Sequence, residues 1–102
     1  MDKISVILNS YNQEEFFETA IKSVLDQTYE NFELIISENG STDSSKQIMA
    51  KYKTNPKVVI LDYPENDIIG KRFNQAIAKS SGNYICFLYS DDFIEKDKLR
   101  IQ

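Results

Sequence analysis

Histidine is absent from this 102-residue sequence. That excludes serine–histidine and cysteine–histidine nucleophilic systems within the chain. Cysteine occurs once, as Cys86, so no intrachain disulfide can form, which fits a reducing compartment. One cysteine and no histidine also leave too few good ligands for zinc. No apolar run approaches the ~18 residues needed to cross a bilayer. No charged stretch precedes an apolar one, so neither a transmembrane segment nor a signal peptide is expected. The expected location is the cytoplasm, with peripheral attachment to a membrane as its variant. Excess positive charge is missing too: 12 lysines and arginines face 16 acids, a formal net charge of -4. That argues against a nucleic-acid partner, because phosphate backbones select basic surfaces. It leaves a nucleotide open, since a nucleotide needs only a local site. Any chemistry must use carboxylates, hydroxyls, amides, lysine and arginine.

What is present suits one soluble domain covering residues 1–102. With 41% hydrophobic and 27% charged residues the chain can build one core, and its length leaves no room for a second. Residues 4–9 (ISVILN) form a short β-branched run and read as a buried strand. Ser10, Asn12, Gln13, Glu14 and Glu15 carry helix-start chemistry. Phe16, Phe17, Ala20, Ile21, Val24 and Leu25 then recur at helical spacing as one apolar stripe. Residues 32–37 (FELIIS) are a second strand, broken by Glu38-Asn39-Gly40. Ser41, Thr42 and Asp43 are N-cap candidates for a helix over residues 44–52, with Ile48, Met49 and Tyr52 inward. Residues 57–62 (KVVILD) are a third strand. A loop over 63–69 leads through Gly70 to a helix over 71–80, with Phe73, Ala76 and Ile77 inward and Lys71 and Arg72 solvated, a reach to phosphate from the helix N-terminus being their lesser alternative. Ser81-Gly82 ends it. Residues 84–88 (YICFL) are the fourth strand, with Cys86 as an inert core residue. Residues 93–102 are mostly charged and read as the start of another helix.

The order βαβαβαβ predicts a three-layer α/β sandwich with a mainly parallel sheet and right-handed crossovers. Ligands of open α/β sheets bind outside the carboxyl ends of the strands. The least ordinary polar residues fall there. Asn9-Ser10-Tyr11-Asn12 follows the first strand, Glu38-Asn39-Gly40-Ser41 the second, and Ser90-Asp91-Asp92 the fourth. With strand order 3-2-1-4 all three groups meet at one edge. Adjacent carboxylates repel unless a cation is close. Mg²⁺ or Mn²⁺ takes one or two carboxylates and fills its shell with water and substrate phosphates. A metal there neutralises the charge that develops on a departing diphosphate. Tyr11 offers an aromatic face to a base, and Glu38 and Asn39 offer hydrogen bonds to its edge. Taken singly, each of these has a plain reading as turn, cap or packing. Their joint placement favours a site for a nucleoside diphosphate bearing a leaving group. A phospho-acceptor receiver domain would place acids after the first strand, where this chain has Asn9 and Ser10.

The same residues resemble the N-terminal part of family 2 glycosyltransferases of the GT-A fold. The similarity runs through Ser5-Val6-Ile7, Ser10-Tyr11-Asn12 and the stretch from Ala20 to Tyr29. It continues through Asn31 to Ile36, Gly40-Ser41-Thr42-Asp43, Gly82-Asn83-Tyr84-Ile85 and Ser90-Asp91-Asp92. The resemblance implies transfer of a sugar from a nucleotide-diphosphate donor, UDP-sugars favoured, to a glycan or other hydroxyl acceptor, generally with inversion. It implies that Tyr11 packs on the base, that the acid ending the second strand contacts uracil, and that Asp91 and Asp92 hold metal and diphosphate. It also implies a role in cell-surface polysaccharide synthesis. Departures are visible. Glu38-Asn39 stands where the family usually has Asp-Asp, and Tyr89 where the acidic motif often begins. The spacing from Gly70 to Asn74 is short. The family's general base and acceptor site come from a second half, expected beyond Gln102, so the chain reads as a truncated donor-binding part. A degenerate assembly module is the alternative, self-associating through apolar surface on the fourth strand.

Overall fold

The computed structural model describes residues 2–12, 14–27 and 30–89. Four strands, β1 (Ile4–Ser10), β2 (Phe32–Asn39), β3 (Val58–Tyr63) and β4 (Tyr84–Tyr89), alternate with α1 (Glu14–Leu25), α2 (Ser45–Ala50) and α3 (Ile69–Lys79). All pairings are parallel, in the order β3-β2-β1-β4 expected from the sequence. β1 is central and buried along its whole length, because strands lie on both sides of it and helices on both faces.

The period-2 alternation of side chains divides the core in two. Ile4, Val6 and Leu8 of β1 join Phe32, Leu34 and Ile36 of β2 beneath Phe17, Ala20, Ile21 and Val24 of α1 and Met49 of α2. Ile7 and Ile35 face the other way, against Ala76 and Phe73 of α3. The Phe73 and Phe87 rings meet edge to face at 4.8 Å, tying α3 to β4.

Some boundaries and facings differ from the sequence reading. β2 continues through Glu38 and Asn39, which pair with Asp62 and Tyr63, and the chain turns only at Gly40. Its φ is +72°, and a Cβ there would lie 2.3 Å from the Glu65 carbonyl carbon, so both conformation and space require glycine. α3 starts at Ile69, so Gly70 is its second residue, not the residue before it. Arg72 was expected in solvent and is buried, whereas Ile77 was expected inside and is 39% exposed. The cause is tertiary: Asn39 supplies Arg72 with a partner, which rotates that side of α3 inward. Phe16, read as part of the α1 stripe, is 48% exposed.

A carboxylate clamps the amino-terminal pole of the sheet. Glu33 Oε2 accepts from Ser5 Oγ (2.6 Å), Ser81 N (2.7 Å) and Ser81 Oγ (3.1 Å), while Ser5 Oγ accepts from Gly82 N (2.8 Å). This network joins β1, β2 and the α3–β4 connection. Burial raises the Glu33 pKa, but the bonds from Ser5 and Ser81 and the nearby Lys3 outweigh it, so the carboxyl lies below the ordinary glutamate range.

Candidate functional site

The carboxyl-terminal edge brings together the loops after β1 and β2, as the sequence placed them. Their contacts form a relay. Asn12 N donates to Ser41 Oγ (2.9 Å), and Ser41 Oγ donates to Glu38 Oε2 (2.6 Å). Ser41 N donates to Glu38 Oε1 (2.6 Å), so both oxygens of the fully buried Glu38 carboxylate are engaged inside one turn. Asn12 adopts a positive φ of 50°, which asparagine tolerates, and its Oδ1 accepts from Thr42 N (2.8 Å). Asp43 then accepts from Glu14 N (3.1 Å) and Ser45 N (2.9 Å), so one carboxylate serves the first residues of both α1 and α2. Burial pushes the Asp43 pKa up, and the hydrogen bonds from Ser45 and the Glu14 backbone bring it below the ordinary aspartate value. The result is a fixed platform from which Tyr11, 43% exposed, projects directly after β1.

The α3 side of the same edge is arranged differently. Asn39 Oδ1 accepts from Asp67 N (3.0 Å) and from Arg72 Nε (2.7 Å), and its Nδ2 donates to Asp67 O (3.0 Å). Arg72 also donates to Glu65 O (2.6 Å) and Gln75 Oε1 (3.1 Å), and its guanidinium stacks 3.7 Å from the Tyr63 ring centroid. No described carboxylate lies within ion-pair distance of Arg72. Asn66 Nδ2 bonds Asn39 O (3.1 Å), so the 65–67 loop is sewn onto the end of β2. Lys71 is exposed and pairs with Asp67 at 2.9 Å.

Of the residues singled out from sequence, Asn9 and Ser10 end β1 with buried side chains. Neither Asn9 Oδ1 nor Ser10 Oγ has a hydrogen-bond partner among the described residues. Glu38 and Asn39 lie beside them on β2 but face opposite sides of the sheet. Asp91 and Asp92, read as the metal ligands, lie outside the described residues, as does Ser90. Among the described residues no group of three or more cysteine and carboxylate side chains is placed to hold a metal ion. A depression of about 420 Å³ lies off this edge, at the start of α1, lined by Asn12, Glu14, Glu15, Phe16 and Asp43. Its carboxylates would repel a diphosphate, so the strand ends are the better seat for one. Arg72 and Asp67 escaped the sequence reading as site-shaping residues, and the sequence placed Ser41 at this edge without its bond to Glu38. A serine three residues after a strand-end acid was the available signal for that bond.

A parallel sheet in this order, with its polar residues gathered at the carboxyl edge, defines the doubly wound class of nucleotide-binding folds. The chain belongs to glycosyl transferase family 2, whose sequence pattern matches residues 5–102. TuaG of Bacillus subtilis is 37% identical over 97% of this chain and 40% of its own length. An uncharacterized glycosyltransferase of Haemophilus influenzae is 42% identical, with all of this chain matched to 41% of that protein. The chain thus spans well under half the length of these relatives. Among solved structures, S. aureus TarS (residues 1–349) in complex with UDP superposes with a TM-score of 0.89 at 30% identity, over 97% of this chain and 30% of TarS. TarS in complex with UDP-GlcNAc gives a TM-score of 0.87. The match carries the GT-A fold, and β1–β4 with their helices form its Rossmann-like half.

Proposed function

We propose that this chain supplies the donor side of a metal-dependent glycosyl transfer from a UDP-sugar to the hydroxyl of a glycan or other acceptor. The observation that carries the reading is the carboxyl edge of β1 and β2 in a fold whose 30%-identical solved relative TarS is in complex with UDP and UDP-GlcNAc. Tyr11 stacks on the base, Asn9 and Asn39 meet its edge, Ser10 and Glu38 shape the floor, and Asp91 contacts the diphosphate. Asp91 and Asp92 would hold Mn²⁺ or Mg²⁺. The metal, when bound, neutralises charge on the departing diphosphate. The acceptor oxygen attacks the anomeric carbon and gives up its proton to a base. The bond to the diphosphate breaks, and its electron pair leaves with the UDP. We place the work in cell-surface polysaccharide synthesis, in the cytoplasm or at the cytoplasmic side of a membrane.

Calorimetric titration of the chain with UDP and Mn²⁺ tests this. Saturable binding is expected, weakened at least tenfold in the Asp91→Ala, Asp92→Ala double variant. Equal heats for both proteins would refute the donor role. A second reading, a self-associating module, is favoured by β4, where Tyr84, Ile85 and Phe87 are 53%, 39% and 48% exposed. Light scattering distinguishes it: a strictly monomeric chain at high concentration excludes that reading.

A further inference from the structure

Two amides stand at the edge where the base would lie, and their hydrogen-bonding states are opposite. Those of Asn39 are fixed by its neighbours. Asp67 N and Arg72 Nε can only donate, and Asp67 O can only accept. The Asn39 oxygen must therefore face the first two and its nitrogen the third. Both lone pairs of Oδ1 are consumed, and the capacity left on this side chain is one N–H donor. Residue 39 cannot accept a proton from a base.

Asn9 is the reverse. Its side chain is 5% exposed, and Oδ1 has no partner among the described residues. Ser37 Oγ, the neighbouring position in the β1–β2 register, is likewise buried and unmet, so neither satisfies the other. A buried acceptor without a donor is costly in a native fold and calls for a ligand or water. Asn9 and Asn39 share the α3-facing side of adjacent parallel strands, two register positions apart. Strand geometry separates their Cα atoms by about 8 Å. Tyr11 follows Asn9 by two residues.

We infer that Asn9 Oδ1 is the acceptor for the ring N–H of the base, with the free N–H of Asn39 donating to a neighbouring base carbonyl. Both residues then determine base specificity, Asn9 by accepting and Asn39 by donating. The pattern suits the uracil imide edge, where an N–H stands beside a carbonyl. The inference rests on the donor-binding reading above.

The test is calorimetry with Mn²⁺ of the wild-type chain and Asn9→Leu, each titrated with UDP and with N3-methyl-UDP, alongside thermal melts. One hydrogen bond of this kind corresponds to roughly a tenfold change in affinity. Wild type should bind UDP at least tenfold more tightly than the methylated analogue. Asn9→Leu should lose at least tenfold toward UDP, show no further loss toward the analogue, and melt no lower than wild type, since Oδ1 makes no bond in the free fold. If Asn9→Leu does not fold, Asn9→Ala carries the same comparison. Undiminished UDP binding by a folded variant overturns the inference and leaves the donor reading intact. Absence of UDP binding by wild type overturns both.

Discussion

Ser41→Ala should be among the most damaging single-atom deletions in this chain. The hydroxyl works in both directions: it donates at 2.6 Å to a Glu38 carboxylate with no exposure and accepts at 2.9 Å from Asn12 N. A hydrogen bond to a charged group contributes about 1.5–3 kcal/mol, and a neutral one about 1. Losing both, with the carboxylate still sealed from water, gives a cost of about 3 kcal/mol. Against a total of about 5–15 kcal/mol for a domain of this size, the midpoint should drop by roughly 12 °C or more. Thermal and urea denaturation followed by circular dichroism measure this. Thr42→Ala is the matched control, because its hydroxyl reaches Asn12 Oδ1 only at 3.5 Å on the surface. It should stay within about 0.5 kcal/mol of wild type. If Ser41→Ala also stays within that limit, Glu38 is not held as described and the relay has no energetic content.

Two pH-dependent predictions accompany it. Glu33 has its folded pKa lowered, so its contribution is complete above the ordinary glutamate value and fades as pH falls below about 4.5. Glu33→Gln should cost about 1–2 kcal/mol at neutral pH, a gap to wild type that closes in acid denaturation series; a gap independent of pH would contradict the clamp. Tyr52 donates to Glu18 Oε2 at 2.8 Å, and burial followed by that bond raises its pKa to about 12. Its contribution is therefore present below pH 10 and lost between about 10 and 12. Tyr52→Phe should destabilise by about 1–2 kcal/mol and remove that alkaline component, which urea midpoints across the range would report.

Local pattern is enough to reveal the sheet. The runs ISVILN, FELIIS, VVIL and YICFL are short, β-branched or aromatic, and separated by helical segments, so a parallel sheet is the only economical assembly. Strand ends then follow, and with them the edge bearing Asn9, Tyr11 and Asn39. What escaped a one-dimensional reading is set by partners distant in the chain. Arg72 looks like any helical surface cation until Asn39, 33 residues earlier, and the Glu65 carbonyl are brought against it. Once it is inside, the α3 face rotates and Ile77 moves out. Glu33 looks like the polar side of a strand until Ser5 and Ser81 close on it. In each case a polar group is buried because donors from two other elements satisfy it, and no periodicity of hydrophobic residues encodes that.

The polar residues at the carboxyl edge therefore divide by whether the fold completes their hydrogen bonds. Glu38 has both oxygens engaged and Asn39 both lone pairs of its amide oxygen, which holds the turn at Gly40 and the 65–67 loop in place and leaves Asn39 one N–H to offer. Asn9 and Ser10, on the neighbouring strand, are equally buried yet unmet among the described residues. Burial alone cannot explain polar residues there, because an apolar residue of similar size would spare the desolvation cost. A ligand or an ordered water would complete their bonds. Under the donor-binding proposal, the acceptor offered to a base is thus the one the described fold leaves unmet, Asn9 Oδ1 at the end of β1. Glu38 and Asn39 of β2 fix the turn and loop beside that group.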